Sequence, residues 1–337
     1  MKEAMLYRQL DQERVHCFLC SQHCRIDPEG IGKCGVRQNR GGKLFSLVYG
    51  KLIARHVDPV EKKPLFHFLP GSTSYSIATA GCNFECAFCQ NADISQSPPV
   101  SGGIYGRSAT PGEIAEQAKS EGCASISYTY TEPTIFMEYA LDVAVLAKER
   151  GLENIFVTNG YMSREALDAA SPLLGAANVD LKAFSDAFYR EKCGASLKPV
   201  LATLERMKEK SIWLEVTTLV IPGLNDGEEE LRQIAEFLVG LGAETPWHVS
   251  RFFPAYNMTG VQATPVRTIR RAREIGLEAG LRYVYTGNAP GDEGENTFCH
   301  RCGALLIARV GYRVQKHNLE GGVCAKCGTA PAGVGLD

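Results

Sequence analysis

The sequence predicts an α/β protein built on a partial barrel of six βα units, with a cysteine-rich segment before the barrel and a pair of cysteine knuckles after it. Three observations carry this prediction. Short β-branched or apolar runs alternate with longer helical patterns between residues 75 and 285. Polar residues that do not suit a core follow the ends of successive runs, where a βα barrel gathers its reactive groups. Eleven of the thirteen cysteines fall in three tight clusters.

The bulk composition narrows the class of protein. A chain of 337 residues has room for one large domain of about 200–250 residues with smaller attachments. The formal net charge of −2 gives no argument for a nucleic-acid partner or an anionic membrane surface. The N-terminal stretch lacks the apolar run of a signal peptide, and no later segment reaches the roughly 18 apolar residues of a membrane span. We therefore expect a cytoplasmic protein without membrane contact.

Six strands are predicted, and each is followed by a credible helix. The strands are residues 75–80, 123–130, 154–159, 177–183, 212–221 and 247–253. Repeated βα units need parallel strands joined by right-handed crossovers. Six strands would close a barrel incompletely and leave a lateral opening for a large substrate.

The helices are predicted from their end signals. A capping hydroxyl or amide, or a proline in the first turn, marks a start, and a glycine just past the last turn marks an end. The expected starts are Thr110-Pro111, Pro133, Asn225-Asp226 and Thr264-Pro265, and the expected ends are Gly151 and Gly242.

Three cysteines directly follow the first predicted strand. Cys82, Cys86 and Cys89 are separated by three and then two residues. Four-iron clusters are usually held by four thiolates, so a site with three leaves one iron free to bind a small molecule. A three-thiolate zinc site is the alternative. No histidine lies between His67 and His248, so a local fourth zinc ligand is absent.

The stretch "CNFECAFC", with Phe88 before the last cysteine, resembles the signature of the radical S-adenosylmethionine (radical SAM) superfamily. The resemblance implies a radical SAM barrel, a [4Fe–4S] cluster on Cys82, Cys86 and Cys89, and S-adenosylmethionine bound to the open iron through its amino and carboxylate groups. It also implies reductive cleavage to a 5′-deoxyadenosyl radical that abstracts hydrogen from a substrate, with an electron donor such as flavodoxin or ferredoxin. The substrate would be a small molecule or a protein, and no catalytic side chain is predicted.

Further stretches resemble the pyruvate formate-lyase activating enzyme and its relatives. They are "YTEPT" (130–134), "TNGY" (158–161) and "VDLKAF" (179–184). The resemblance implies that Phe88, Glu132, Asn159, Asp180 and Lys182 bind the cofactor. Relatives carry two glycines where Tyr130 and Thr131 stand, so Glu132 is the firmer correspondence in that motif. An Asp–Lys pair that only lines the barrel is the alternative for Asp180 and Lys182, while His248 either orients substrate or is structural.

The C-terminal cysteines form two Cys-x2-Cys knuckles separated by 21 residues. Cys299, Cys302, Cys324 and Cys327 have the spacing of a zinc ribbon, with rubredoxin-like iron as the alternative metal. The run "ALLIARVGYRV" between the knuckles suits a hairpin. About 40 residues provide too little core to fold alone, so the metal would stabilise the segment, and it would do so without a further role.

The N-terminal cysteines, Cys17, Cys20, Cys24 and Cys34, could fully ligate either zinc or an auxiliary iron–sulfur cluster. Zinc is the simpler structural interpretation. A second cluster would serve as an electron relay or a substrate anchor. The two remaining cysteines, Cys123 and Cys193, are expected to be small buried hydrophobic residues.

The whole arrangement resembles the AmmeMemoRadiSam-system radical SAM proteins, most closely in "CRIDPEGIGKCGVRQNRGGKLFSLVYGKLIA" and "NTFCHRCGALLIARVGY". The resemblance implies Memo-like partner proteins but no particular substrate. We expect a metal-binding segment over residues 1–50, the barrel over 51–290 and the knuckle pair over 291–337. Two alternatives to a general radical SAM enzyme stay open, a glycyl-radical enzyme activase and a metal-stabilised binding or adaptor module.

Overall fold

An eight-stranded sheet forms the centre of the computed structural model, which describes residues 1–96 and 104–336. The strands are β1 (Ala54–Pro59), β2 (Thr73–Ala78), β3 (Ser125–Tyr128), β4 (Glu153–Thr158), β5 (Ala176–Asp180), β6 (Trp213–Val220), β7 (Trp247–Arg251) and β8 (Val284–Gly287). They lie side by side in chain order. Strands β2 to β8 run parallel, and β1 pairs antiparallel with β2.

All six predicted strands are present as β2 to β7, and the sheet has two strands more than the sequence predicts. Strand β8 has only four residues and ends on glycine, which is too short for a periodic pattern. Strand β1 has two adjacent exposed residues, His56 and Val57, next to the charged Arg55 and Asp58, so its sequence lacks the apolar pattern of a buried strand. In the described part of the chain β1 and β8 do not pair, so the sheet is open.

One helix lies between each consecutive pair of parallel strands, as the repeating βα pattern predicts. These helices are α1 (Pro111–Ser120), α2 (Met137–Glu149), α3 (Arg164–Ala170), α4 (Leu197–Glu209), α5 (Glu228–Leu241) and α6 (Val266–Glu278). Shorter pieces are Ala92–Ser95, Asp186–Phe188, the π turn Tyr189–Cys193 and the 3-10 turns Val60–Lys62, Pro133–Phe136 and Glu293–Glu295. No described helix has the length and apolar content needed to cross a membrane.

The start of α1 is the one that the sequence predicts. Thr110 accepts a hydrogen bond from the backbone N–H of Glu113, and the Glu113 carboxylate accepts one from the Thr110 backbone, which makes a capping box ahead of Pro111. Pro133 starts a 3-10 turn rather than an α-helix, and α2 begins at Met137.

Two of the predicted helix starts are wrong. Helix α5 begins at Glu228, because Asn225 folds back and accepts a hydrogen bond from the Ile221 N–H at 2.6 Å. Helix α6 begins at Val266, and Thr264 does not cap it. The Thr264 hydroxyl instead donates to the Val220 carbonyl at 2.6 Å and so joins the end of β6 to the loop after β7. In both cases a long-range hydrogen bond also holds the side chain that local sequence assigns to a cap, because the Asn225 Nδ2 donates to the Lys182 carbonyl at 2.6 Å, as Thr264 does to Val220.

The N-terminal segment packs directly on the loop that follows β4. Its short strands are Lys2–Glu3, Tyr7–Gln9, Val15–Cys17, Arg25–Ile26, Arg37–Arg40 and Lys43–Ser46. The Ser21 N–H donates to the Tyr161 carbonyl at 2.9 Å, and the Ser163 N–H donates to the Leu19 carbonyl at 3.0 Å. The N-terminal cysteines are thereby held against the C-terminal ends of the central strands.

The C-terminal segment contains the expected hairpin between the knuckles. Its strands are Thr297–Phe298, Leu305–Val310, Arg313–His317, Leu319–Glu320 and Val323–Cys324. The Leu69 N–H donates to the Val334 carbonyl at 2.8 Å, which ties the end of the segment to the turn between β1 and β2.

Candidate active site

A cavity of about 500 Å³ opens at the C-terminal ends of the parallel strands. This volume is typical of a site for a small molecule or cofactor. The cavity is lined by every residue that the sequence predicts for the iron–sulfur cluster and for S-adenosylmethionine, namely Cys82, Cys86, Phe88, Cys89, Glu132, Asn159, Asp180 and Lys182. The structure therefore brings together residues from four separate loops. The individual binding roles remain predictions.

The three cysteines lie in the loop after β2. The Phe84 N–H points at the Cys82 sulfur at 3.4 Å, and the Cys89 sulfur lies 3.2 Å from the Ser95 hydroxyl. Among the described cysteines only these three line the cavity. These three thiols would hold a four-iron cluster and would leave one iron without a protein ligand.

Cys193 is a neighbour of this site that the sequence analysis missed. Its side chain is fully buried, as expected of a small hydrophobic residue. It lies beside Cys86, and a hydrogen bond from the Cys193 thiol lowers the pKa of Cys86. The π turn that carries Cys193 also accepts hydrogen bonds from the Cys86 loop, with its carbonyl 2.9 Å from the Glu85 nitrogen. Only a three-dimensional structure could show this contact, since the two cysteines lie 107 positions apart in the sequence.

Glu132 is buried and organises two strand ends. One carboxylate oxygen accepts hydrogen bonds from the Thr134 N–H at 3.0 Å and from the Thr158 hydroxyl at 2.7 Å. The other accepts the Asn159 N–H at 2.8 Å. Burial raises the pKa of Glu132, and these hydrogen bonds oppose that effect. The residue predicted to meet the cofactor thus also sets the backbone at the end of β4.

Asn159 connects that backbone to the cysteine loop. Its Nδ2 donates to Oδ1 of Asn83 at 2.7 Å and lies 3.8 Å from the Cys82 sulfur. Its Oδ1 accepts the Tyr161 N–H at 3.0 Å. Asn83, which the sequence analysis did not single out, therefore supports both Asn159 and the first cysteine of the motif.

Asp180 and Lys182 form an ion pair at the end of β5, with 3.0 Å between Oδ2 and Nζ. Burial alone would lower the pKa of Lys182, but the Asp180 carboxylate and neighbouring cysteines raise it well above its usual value. The ammonium also lies over the Phe88 ring, 5.7 Å from its centroid. The lysine therefore carries a fixed positive charge beside the cysteine loop.

The opposite side of the cavity is lined by groups that the sequence analysis did not assign. Tyr130 stands where relatives have glycine, and its φ of 63° is a conformation that favours glycine. Its hydroxyl hydrogen bonds to Asp58, which also pairs with the buried Lys63 at 2.6 Å. Burial lowers the pKa of Lys63 to about 8. Tyr312, from the turn of the C-terminal hairpin, lines the same cavity.

His248 does not line this cavity. Its Nε2 lies 2.7 Å from the Glu215 carboxylate, inside a buried group that includes Phe66 and Tyr285. We therefore interpret His248 as a structural residue, because its ring is hydrogen-bonded to Glu215 in the core and does not reach the active-site cavity.

The C-terminal cysteines form a compact metal-binding group. Their four sulfurs all lie within 4.8 Å of one another. The Cys299 and Cys327 sulfurs are 3.6 Å apart, and those of Cys302 and Cys324 are 3.7 Å apart. Zinc–sulfur bonds of about 2.3 Å in a tetrahedron place sulfurs about 3.8 Å apart, so the group fits one zinc ion.

Residues 76–238 match the family model of the Radical SAM superfamily. Together with the site, this match shows that the chain contains a radical SAM domain and is an enzyme of that superfamily, whose cofactors are a [4Fe–4S] cluster and S-adenosylmethionine. Membership argues against the adaptor alternative, in which the three-cysteine site has no task.

Among known proteins, the uncharacterized protein MJ0808 of Methanocaldococcus jannaschii is 47% identical over 321 residues, which cover 95% of each chain. The isethionate sulfite-lyase activating enzyme of Oleidesulfovibrio alaskensis is 27% identical over 51% of this chain and 58% of its own. The putative glycyl-radical enzyme activating enzyme MJ1632 of M. jannaschii is 25% identical over 61% of this chain and 78% of its own.

The fold is also similar to that of solved structures. Streptococcus suis SuiB bound to S-adenosylmethionine has a TM-score of 0.51 and 13% sequence identity, over 68% of this chain and 53% of SuiB. At this identity the similarity concerns the fold alone.

Proposed function

We propose that the protein cleaves S-adenosylmethionine reductively at the Cys82, Cys86 and Cys89 site and removes a hydrogen atom from a substrate that enters the cavity. The single observation that supports this proposal best is the convergence of the three thiols, the Asp180–Lys182 pair and Glu132 on one cavity. The substrate would be a small molecule or a side chain of another protein.

When bound, the cluster and S-adenosylmethionine supply the electron transfer and the 5′-deoxyadenosyl radical. The protein's own residues hold and orient these groups. Lys182 would pair with the methionine carboxylate, and its ammonium lies 3.0 Å from the Asp180 carboxylate, which supports this orientation. Asp180, which is more exposed than Lys182, would accept hydrogen bonds from ammonium or hydroxyl groups of the cofactor.

Glu132 and Asn159 shape the other side of the cofactor position. One oxygen of the Glu132 carboxylate accepts three hydrogen bonds, two from Thr134 and one from Thr158. The other oxygen accepts only the Asn159 N–H. That second oxygen retains a lone pair for the amino group of S-adenosylmethionine. Asn159 is held by Asn83 and lies next to Cys82, which suits a contact to the ribose or methionine end.

The experiment is anaerobic reconstitution with iron and sulfide, followed by reduction with dithionite in the presence of S-adenosylmethionine and quantification of 5′-deoxyadenosine. The wild-type protein should form it and the Cys86→Ala variant should not. Cys123→Ala is the matched control, because Cys123 is also a buried cysteine but lines neither the cavity nor a metal site. Equal product from wild type and Cys86→Ala would contradict the proposal.

A second candidate function is activation of a glycyl-radical enzyme, in which the abstracted hydrogen comes from a glycine of a partner protein. The sequence similarity to the isethionate sulfite-lyase activating enzyme and to MJ1632 favours this function. Electron paramagnetic resonance (EPR) separates the two functions. An activase leaves a persistent radical on the partner protein, whereas an enzyme acting on a small molecule leaves none.

The finer assignment is also a proposal. The N-terminal and C-terminal stretches resemble the AmmeMemoRadiSam system, which favours Memo-like partner proteins and a flavodoxin or ferredoxin as electron donor. We also propose three units, a metal-binding segment (1–50), the radical SAM barrel (51–290) and a zinc-ribbon-like segment (291–337). Mass spectrometry of proteins that co-purify under anaerobic conditions tests the partner assignment.

A further inference from the structure

The four N-terminal cysteines surround a second, small cavity that is separate from the active-site cavity. Cys17, Cys20, Cys24 and Cys34 all line it. The rest of its wall is largely apolar, with Leu19, Ile26 and Ile135 among the lining residues. Four thiols that enclose a common space need an occupant that they can all ligate. The sequence leaves zinc and an iron–sulfur cluster open.

The spacing of the sulfurs distinguishes the two occupants. Across residues 1–96 and 104–336, the C-terminal set is the only group of three or more Cys, His, Asp or Glu whose ligand atoms all lie within 4.8 Å of one another. It follows that no three of the N-terminal sulfurs are that close. A single zinc ion needs sulfurs about 3.8 Å apart. A four-iron cluster attaches each thiolate to a different iron and therefore needs wider spacing, and Cys82, Cys86 and Cys89 likewise do not form such a compact group.

Two buried donors in the cavity wall lack partners. Arg37 is 2% exposed, and its Nε has no hydrogen-bond partner among the described residues, while its Nη1 lies 4.0 Å from the Cys17 sulfur. Asn83 is fully buried, and its Nδ2 makes no hydrogen bond of standard length in the described chain, although the amide neighbours the Cys20 thiol. An unpaired buried donor costs about 1–3 kcal/mol. The inorganic sulfides of a cluster are acceptors that both donors could reach from the wall.

Asn83 also connects the two cysteine sites. It lines the N-terminal cavity, while its Oδ1 lies 3.9 Å from the Cys82 sulfur. The backbone at Gly81, next to Cys82, also lies against the backbone at Cys34. A Cβ at position 81 would be only 2.6 Å from the Cys34 carbonyl oxygen. Only glycine allows so close an approach. The two sites are therefore separated by one side-chain amide and one backbone contact.

We infer that Cys17, Cys20, Cys24 and Cys34 hold a second [4Fe–4S] cluster, which exchanges one electron with the cluster at Cys82, Cys86 and Cys89 across Asn83. A low-potential one-electron donor, such as dithionite in vitro, reduces it. Hydrogen bonds from Arg37 and Asn83 to its sulfurs would raise its reduction potential. The identity of the second cluster stands independently of S-adenosylmethionine cleavage. Only its role as a relay rests on the proposed function.

The first test is the metal and sulfide content of the full chain after anaerobic reconstitution. We expect about eight iron atoms and eight acid-labile sulfides per chain for the wild type, and about four of each for the Cys82→Ala/Cys86→Ala/Cys89→Ala variant. One zinc ion per chain at the C-terminal site, together with an unchanged circular dichroism spectrum, verifies that the variant is folded. Sulfide is counted because a single iron at a rubredoxin-like site brings none.

Zinc at the N-terminal site gives a different result. About four irons and two zinc ions in the wild type, with no sulfide in the triple variant, would overturn the inference. Neither result depends on turnover, so a failure of the proposed reaction leaves this test intact.

The second test concerns the coupling of the clusters. In the dithionite-reduced wild type, spin–spin interaction should broaden or split the EPR signal. The signal should be simple both in the triple variant and in the reciprocal Cys17→Ala/Cys20→Ala/Cys24→Ala/Cys34→Ala variant. Two clusters that are both reduced but give the plain sum of the single-cluster spectra would contradict the relay.

Discussion

The Glu132 carboxylate accepts the backbone N–H of Asn159 at 2.8 Å, so a side chain after β3 positions the backbone after β4. Both residues line the active-site cavity, and Asn159 in turn reaches the Cys82 loop through Asn83. The predicted cofactor position is thus formed by contacts between loops and not by any single motif.

Replacing Glu132 by glutamine should weaken this arrangement. Both oxygens of the Glu132 carboxylate accept hydrogen bonds from N–H or O–H donors. The glutamine amide has only one oxygen, so in either orientation its NH2 group faces a donor instead of an acceptor. We expect a loss of about 1–3 kcal/mol in the free energy of unfolding and a weaker affinity for S-adenosylmethionine. Chemical denaturation and equilibrium binding measure the two effects. Glu205→Gln, at an exposed position, is the control, and equal behaviour of the two variants would contradict the assignment.

Replacing Lys182 by methionine should reduce S-adenosylmethionine binding while the fold persists. The backbone contacts of this residue, from its N–H to the Tyr189 hydroxyl and from the Asn225 amide to its carbonyl, do not depend on the ammonium. We expect the Kd to rise at least about tenfold, which corresponds to about 1.4 kcal/mol. Lys198→Met, at an exposed position, should leave the Kd unchanged. An unaltered Kd in Lys182→Met would leave the Asp180–Lys182 pair as a structural feature only.

Removing one C-terminal ligand should release zinc and loosen the C-terminal segment. In Cys324→Ser the compact group of four sulfurs is incomplete, and we expect loss of about one zinc ion per chain. Residues 297–336 should then exchange amide hydrogens faster than the barrel, because their small core depends on the metal. Elemental analysis and hydrogen exchange test this prediction, with Cys123→Ala as control. Iron instead of zinc in the wild type would support the rubredoxin-like alternative.

His67 should make the protein sensitive to acid. The fully buried ring contacts the Ala332 carbonyl through Nδ1 and the Tyr285 hydroxyl through Nε2. Burial lowers the pKa of His67 from 6.5 to about 4; Arg309 and His248 add to this effect, whereas Glu215 and the Ala332 carbonyl oppose it. The neutral ring is therefore required in the folded state. The neutral His67 contributes its full share to the free energy of unfolding above pH 6.5. This contribution is lost as the pH falls from 6.5 to about 4, because in that range the unfolded chain binds a proton that the folded chain does not.

The expected contribution of His67 is about 3 kcal/mol between those two pH values. Unfolding of wild type and His67→Gln, measured across this range, should show a smaller pH dependence in the variant. His317→Gln removes an exposed histidine and should retain the wild-type dependence. Identical slopes for wild type and His67→Gln would contradict the neutral buried ring.

The sequence predicted the residues of the candidate site better than the residues that support them. The cluster ligands Cys82, Cys86 and Cys89 can be predicted because their spacing is local in the sequence. Strands β2 to β7 can be predicted because each has its own apolar pattern. Strand β8 was missed because four residues carry too little pattern.

The roles of Asn83 and Cys193 were missed for a different reason. Each acquires its role from a partner far along the chain, Asn159 in one case and Cys86 in the other. Likewise, Asn225 and Thr264 look like helix caps locally, but long-range hydrogen bonds to the Lys182 and Val220 carbonyls hold their side chains. Local patterns cannot report contacts of this kind.

The central claim is that three thiolates leave one iron for S-adenosylmethionine. The most direct measurement is the EPR hyperfine spectrum of the reduced protein with S-adenosylmethionine labelled with ¹⁵N at the amino group and ¹⁷O at the carboxylate. We predict couplings from both labels to the cluster in the wild type, and their loss in Cys86→Ala. Bound S-adenosylmethionine that shows neither coupling, on a protein with the cluster filled, would contradict the account.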